Sequence, residues 1–96
     1  MRESYVYLLR SLKDKKFYLG WTTDLDRRLD AHNQGMNPST KSRAPFKLLY
    51  YETYPNSEFA EIRERKLKKN PNMFYHLKKR ALLGASCQMT RKEVVG

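Results

Sequence analysis

Five side chains of this 96-residue sequence have types and spacings suited to proton transfer and anion binding. Arg28 and His32 stand four positions apart, so a helix would place them on one face. The arginine guanidinium binds phosphate through a planar fork of donors, and histidine exchanges protons near neutral pH. Glu64 offers oxygen ligands for a hard divalent cation, and Tyr7 and Tyr18 offer phenol groups. The elements that carry these side chains decide whether they can meet.

Two aromatic runs near the N-terminus predict a β-hairpin. Residues 4–11 and 16–22 are apolar and aromatic, with a charged break between them. No Asn-Gly pair marks the turn, so we expect a loop of about four or five residues. Antiparallel pairing would bring Tyr7 and Tyr18 to one face. Gly20 predicts a bulge or a close approach, with room beside Tyr18 for a phosphate or a packed helix.

A helix follows the hairpin and carries the arginine and the histidine. Thr23 is the predicted N-cap of this helix. Leu25 and Leu29 form one apolar stripe, and Arg28 and His32 border it. We therefore expect both functional side chains at the edge of the buried face.

The rest of the chain completes an α+β pattern. Residues 36–45 predict a basic loop or a short, poorly formed helix, and residues 46–51 predict a third strand. A helix opens near Ser57 and is interrupted at Pro71, which has no N–H to donate. A last helix is predicted over about 72–83, ending near a glycine. The expected fold is a small three-stranded antiparallel sheet flanked by helices, in the order β-β-α-β-α-α.

The length of the chain indicates the number of domains, and its charge indicates the class of partner. We expect one domain over residues 1–84 and a C-terminal tail over residues 85–96. Twenty Lys and Arg residues face ten Asp and Glu residues, which gives a net charge of +10 and a pI near 9.9. A field of this sign attracts polyanions, of which nucleic acid is the commonest.

Cysteine usage and hydropathy indicate the cytoplasm. Cys87 is the only cysteine, so an intrachain disulfide is excluded. No apolar run approaches the roughly 20 residues that span a bilayer. The N-terminus lacks the apolar core of a signal peptide.

Four motifs resemble the GIY-YIG nuclease family. The tripeptides Y-V-Y at 5–7 and Y-L-G at 18–20 resemble its two naming motifs. The segment 25–33 resembles the family helix that bears an arginine and a histidine, and the segment 60–68 resembles the helix with the metal-binding glutamate. The resemblance covers roughly residues 4–83 and is to the small single-domain bacterial members, related to the nuclease domain of the excision-repair subunit UvrC.

This resemblance implies a metal-dependent endonuclease that hydrolyses DNA phosphodiester bonds, acts on particular DNA structures and serves repair or recombination. It implies that Tyr18 is the general base or orients the attacking water, with Tyr7 beside it. Arg28 would bind the scissile phosphate, and His32 would hydrogen-bond a tyrosine or relay a proton. Glu64 would hold one Mg²⁺ or Mn²⁺ ion, weakly without DNA.

Several alternatives stay open at this stage. Arg27 competes with Arg28 as the phosphate ligand, and Glu61 competes with Glu64 as the metal ligand. Trp21 stands where some relatives place a lysine that would lower the pKa of the tyrosine. The chain could therefore be a catalytically weak or inactive nucleic-acid-binding module with the same fold, or a structural domain of a larger assembly.

Lysines and arginines outside the motifs predict a surface that contacts the nucleic-acid backbone. Phosphate contacts position nucleic acid without reading its sequence, and nothing in the chain resembles a helix that reads bases in the major groove. We expect binding that weakens as salt rises. The expected contact residues are Arg27, Lys41, Arg43, Lys66, Lys69, Lys78, Lys79 and Arg80.

Overall fold

The computed structural model describes residues 3–38 and 40–86, and strand β1 lies at the centre of its sheet. The strands are β1 (Ser4–Ser11), β2 (Phe17–Thr22) and β3 (Phe46–Tyr54), in the antiparallel order β2-β1-β3. The helices are α1 (Leu25–Asn33), α2 (Ser57–Lys69) and α3 (Pro71–Ser86), with a short 3₁₀ helix at Lys41–Arg43. The predicted α+β class and element order are confirmed. Within the described ranges, none of these helices could cross a membrane.

The predicted N-cap of α1 is wrong by one residue. Asp24, not Thr23, has the extended backbone of a cap, and its carboxylate accepts the backbone N–H of Arg27 at 3.2 Å. The hydroxyl of Thr22 accepts the N–H of Asp24 at 3.1 Å, which holds the chain in position before the helix. Both residue types are good caps, so propensity alone does not separate Thr23 from Asp24.

Two elements are longer than predicted. The third strand continues past residue 51 to Tyr54, because it pairs with β1 along that strand's whole length. Helix α3 begins at Pro71, since a first helical position needs no N–H donor, and it continues through Ser86. Helix α3 thus extends two residues past Gly84, near which its end was predicted. The predicted tail begins inside α3, and residues 87–96 lie outside the described residues.

Side-chain alternation along β1 divides the core into two layers. One surface of the sheet, here called the helix-pair face, is covered by α2 and α3. Its buried cluster is Val6, Leu8, Leu19, Ala60, Leu67, Leu77 and Ala81. The opposite surface, here called the tyrosine face, is covered by α1, and its buried cluster is Tyr7, Leu9 and Phe46, with Tyr18, Leu25 and Leu29 packed against it. Strand β1 is thus buried on both sides, which places its side chains accurately.

A buried ion pair joins β3 to α2. Both carboxylate oxygens of Glu52 accept from the guanidinium of Arg63, at 2.9 and 3.0 Å, and the hydroxyls of Tyr50 and Tyr54 each donate to them at 2.6 Å. Glu52 is only 8% exposed. Burial alone would raise the pKa of Glu52, but the hydrogen bonds from Arg63 and the two tyrosines outweigh it and hold that pKa below its ordinary value.

Replacing Glu52 with alanine should lower the free energy of unfolding by about 3 kcal/mol, because it leaves the Arg63 guanidinium without its partner. Urea titration at neutral pH measures this loss. Because folding lowers the pKa of Glu52, its contribution should be present above its ordinary pKa of 4.5 and fade as the pH falls further.

The matched control is Glu61→Ala, which removes a surface pair with Arg65 whose side chains are both about half exposed. It should change stability by about 0.5 kcal/mol or less. Equal losses from Glu52→Ala and Glu61→Ala would contradict the structural role of the buried pair.

Candidate active site

Strand register brings the two tyrosines of the motifs to one face. Tyr7 pairs with Gly20 and Leu9 pairs with Tyr18, so the tyrosines are diagonal neighbours across β1 and β2. Their ring centroids are 6.3 Å apart, with an interplanar angle of 36°. The hairpin loop spans residues 12–16, within the predicted length.

Gly20 makes room for a tyrosine ring. A Cβ atom at this position would lie 2.7 Å from the Tyr7 hydroxyl oxygen, 2.9 Å from its Cζ and 3.2 Å from Cε2 of Tyr18. Tyr7 therefore fills the space that Gly20 was predicted to leave for a phosphate or a helix. No bulge occurs at Gly20 either, because the β1–β2 register is continuous, and the register shift lies in the pairing of β1 with β3, next to Leu8 and Leu9.

His32 lies at the centre of the tyrosine face and is 0% exposed, so its predicted position at the edge of the buried face is wrong. Its Nε2 lies 3.2 Å from the Tyr7 hydroxyl, and its Nδ1 lies 2.8 Å from the hydroxyl of Thr40. Its ring centroid is 4.8 Å from that of Tyr18 and 5.7 Å from that of Phe46. Aromatic contacts and two hydrogen bonds therefore hold the imidazole in one orientation.

The electrostatics of the site keep its buried groups uncharged. Burial raises the pKa of Tyr7 above its ordinary value of 10, with a further rise from Tyr18, and hydrogen bonding and charge from Arg28 oppose these effects. Burial and then the charge of Arg28 lower the pKa of His32. At neutral pH, Tyr7 is a protonated phenol and His32 a neutral imidazole.

Glu64 is partly buried on helix α2, which covers the opposite face of the sheet. It lies on α2 between Ala60 and Leu67, both buried in the helix-pair face, and its own side chain is 17% exposed. Its charge adds to the raised pKa of Tyr7, so it lies within electrostatic reach of that phenol. Its carboxylate also pairs with Lys68 at 2.8 Å.

The alternatives left open by the sequence differ in their surroundings. Arg28, and not Arg27, supplies the cationic charge that acts on the buried pair of Tyr7 and His32. Trp21 packs against the cluster of the helix-pair face. A side chain at position 21 is therefore directed away from the face that carries the tyrosines.

Some residues of the predicted basic surface are exposed, and others contact groups within the protein. The guanidinium of Arg43 donates to Asp14 at 2.9 Å and to the carbonyl of Phe17 at 3.2 Å, which fastens its loop to the hairpin. The ammonium of Lys78 lies over the rings of Phe17 and Phe74. The residues that remain exposed are Arg27, Lys41, Lys66, Lys69, Lys79 and Arg80.

An open cleft of about 560 Å³ lies beside the N-terminus of α1. Its lining includes the carboxylates of Asp24 and Asp26, which repel a phosphate. The tyrosines Tyr5 and Tyr51 and three further residues complete it: Thr23, Leu25 and Leu48. For an anionic substrate, the better candidate is the cluster of Tyr7, Tyr18 and His32 with its neighbouring arginine.

The fold and the cluster define a small α+β domain with a paired-tyrosine site. The sequence profile of the GIY-YIG catalytic domain matches residues 3–78, and this chain belongs to the GIY-YIG family. UPF0213 protein CPE1444 of Clostridium perfringens is 43% identical over 67 residues, which are 69% of this chain and 71% of that protein. UPF0213 protein SpyM3_1077 of Streptococcus pyogenes is 42% identical over 69 residues, 71% of this chain and 74% of that protein.

A solved structure has a similar fold. The solution NMR structure of UPF0213 protein BH0048 from Bacillus halodurans aligns with a TM-score of 0.50 and 34% sequence identity. The alignment covers 80% of this chain and 83% of that one. The family implies nuclease-type chemistry, and the names of these relatives specify no substrate.

Gly20→Ala should destabilise the fold by about 1–3 kcal/mol, because its methyl group would overlap the Tyr7 ring. Thermal unfolding measures the loss. Adding Tyr7→Phe removes the hydroxyl that makes the shortest contact, so the double variant should lose less than the two single effects summed. Strict additivity of the two substitutions would show that position 20 does not accommodate the Tyr7 ring.

Proposed function

We propose that this protein is a divalent-metal-dependent endonuclease that hydrolyses DNA phosphodiester bonds. The observation that carries the proposal is the direct contact of Tyr7, Tyr18 and His32 beside the charge of Arg28. Phosphodiester hydrolysis requires a positioned water and stabilisation of the charge that develops at phosphorus. Phenol, imidazole and guanidinium groups gathered in one place can meet these needs.

The exposure of each group suggests its part in the reaction. Tyr7 is almost completely buried, whereas Tyr18 is half-buried, so Tyr18 is better placed to meet a solvent water. We assign to Tyr18 the role of general base or of orienting the attacking water. Arg28 is exposed and can bind the scissile phosphate while its charge still acts on Tyr7.

Glu64 is the proposed ligand of one Mg²⁺ or Mn²⁺ ion. No group of three or more His, Cys, Asp or Glu residues in the described ranges could enclose a metal. Magnesium does not require such a group, because it keeps several waters and binds through one or two carboxylates and substrate phosphates. A single carboxylate that keeps some access to solvent fits that mode and predicts weak binding before DNA arrives. When bound, the ion neutralises charge on the phosphate and the leaving oxygen.

The exposed basic residues are the proposed contacts to the DNA backbone. Such contacts follow shape and charge, so we propose a preference for branched or otherwise distorted DNA, in repair or recombination. The expected compartment is the cytoplasm.

Cleavage assays test the proposed activity. The protein is incubated with flap, forked, cruciform and plain duplex DNA in Mg²⁺ or Mn²⁺. Tyr18→Phe removes the hydroxyl that activates or orients the attacking water, and Glu64→Ala removes the metal ligand. Each should lower the cleavage rate about 100-fold or more. Glu61→Ala, on the solvent side of the same helix, should cleave like the wild type. Cleavage that survives the first two substitutions would place the chemistry elsewhere.

A second candidate function is a catalytically quiet nucleic-acid-binding module with this fold. The observation that favours it is the ion pair between Lys68 and the carboxylate of Glu64, the proposed metal ligand. Binding without cleavage on every DNA substrate would select this second function and reject the first.

Salt dependence tests the basic surface under both functions. Each lost phosphate contact should reduce the slope of log affinity against log salt by about 0.9 on duplex DNA. The double variant Lys66→Ala/Lys69→Ala should therefore flatten the slope by up to about 1.8. Lys13→Ala/Lys16→Ala removes the same charge from the hairpin turn, outside the proposed surface, and should leave the slope nearly unchanged. Fluorescence anisotropy at several salt concentrations measures both, and equal slopes for the two variants would contradict the proposed surface.

A further inference from the structure

Thr40 contacts the imidazole of His32 at the nitrogen that faces away from Tyr7. It is only 1% exposed, although it belongs to the loop between α1 and β3. Its hydroxyl lies 2.8 Å from Nδ1 of His32 and makes a longer contact of 3.5 Å to the carbonyl of Asn37. Polar groups this deeply buried are nearly always hydrogen-bonded, so each proton in this chain of contacts must have a definite direction.

The chemistry of the neighbours decides that direction. A neutral imidazole has one N–H donor and one lone-pair acceptor. The Asn37 carbonyl can only accept, which favours a Thr40 hydroxyl that points its proton towards Asn37 and its lone pair towards Nδ1 of His32. At the other nitrogen, a protonated phenol is a stronger donor than an imidazole N–H, so Tyr7 donates to Nε2. Both ends of the ring therefore favour the tautomer with its proton on Nδ1.

We propose that Thr40 is a positioning residue that holds His32 in the Nδ1–H tautomer, so that Nε2 accepts a hydrogen bond from the Tyr7 phenol. The relay runs from the Tyr7 hydroxyl to Nε2, from Nδ1–H to Thr40, and from the Thr40 hydroxyl to Asn37. With its hydrogen bond donated to Nε2, the Tyr7 hydroxyl oxygen can accept a hydrogen bond from the guanidinium of Arg28. This guanidinium lies on the side where the substrate phosphate would bind. This role in the reaction rests on the proposed nuclease function.

Nitrogen NMR reads the tautomer without any substrate. In protein labelled with ¹⁵N-histidine at neutral pH, long-range ¹H–¹⁵N correlations distinguish a protonated ring nitrogen from a bare one. We expect a protonated Nδ1 and a bare Nε2 at His32. The exposed His76 serves as the internal reference for a ring outside this relay. A wild-type His32 protonated at Nε2 would overturn the proposal, whatever the variants show.

Two substitutions separate the hydroxyl of Thr40 from its bulk. Thr40→Val keeps the shape but removes the acceptor, so His32 should move to the Nε2–H tautomer or to a mixture. Thr40→Ser keeps the hydroxyl and should preserve the Nδ1–H tautomer even if packing is looser. An unchanged tautomer in Thr40→Val, or its loss in Thr40→Ser, would contradict the assignment. If the valine variant does not fold, the wild-type and Thr40→Ser spectra still show whether His32 has the Nδ1–H tautomer when position 40 carries a hydroxyl.

Cleavage kinetics test the role in the reaction. Thr40→Val should lower kcat about tenfold with little change in KM, and Thr40→Ser should restore most of it. If the tautomer changes while kcat does not, Thr40 has no positioning role in the reaction. If the wild type cleaves no DNA, the nuclease function fails, and the spectra alone decide whether Thr40 sets the tautomer.

Discussion

The close approach of the Tyr7 ring to Gly20 is the contact on which the site depends. Any side chain at position 20 would overlap the phenol. Because the ring occupies this space, its hydroxyl can meet Nε2 of His32. The hydrogen bond between Tyr7 and His32 in turn joins two distant parts of the sequence, the hairpin and the end of α1. A glycine that would weaken an ordinary strand is here the condition for the site.

The two faces of the sheet contribute differently to stability and to chemistry. The helix-pair face holds the larger apolar cluster and the ion pair between Glu52 and Arg63, which fastens α2 to β3. The tyrosine face instead buries polar groups, which is costly unless each has a partner. Tyr7, His32 and Thr40 satisfy one another there. Stability on one face can thus offset the cost of burying polar groups on the other.

Local patterns predicted most of the fold, because the period of strand and helix determines which residues share a face. The alternation of the hairpin correctly placed both motif tyrosines on one side. The burial of His32 could not be read in the same way, because it depends on a loop that has no period. No pattern in the surrounding sequence indicates that Thr40 is buried. Its partner, His32, lies eight residues earlier, inside helix α1.

The same limit explains the misreading of two single positions. Gly20 in a strand indicates that something approaches closely, but only the register of β1 against β2 identifies Tyr7 as that neighbour. Trp21 stands where a lysine could have lowered the pKa of a tyrosine, but its side chain packs on the helix-pair face, away from the tyrosines. Spacing in the sequence therefore identifies candidates, and the pairing of strands determines which of them meet.

The pairing of Glu64 with Lys68 bears on whether the site can hold a metal. The two residues are one helical turn apart and Lys68 is 50% exposed, so the pair contributes only about 0.3–0.5 kcal/mol. Lys68 can move into solvent at that small cost. A divalent ion shared with substrate phosphates offers twice the charge of an ammonium and several oxygen ligands. The ion pair is therefore compatible with a carboxylate that becomes a metal ligand only when DNA is bound, and it does not by itself make the domain inactive.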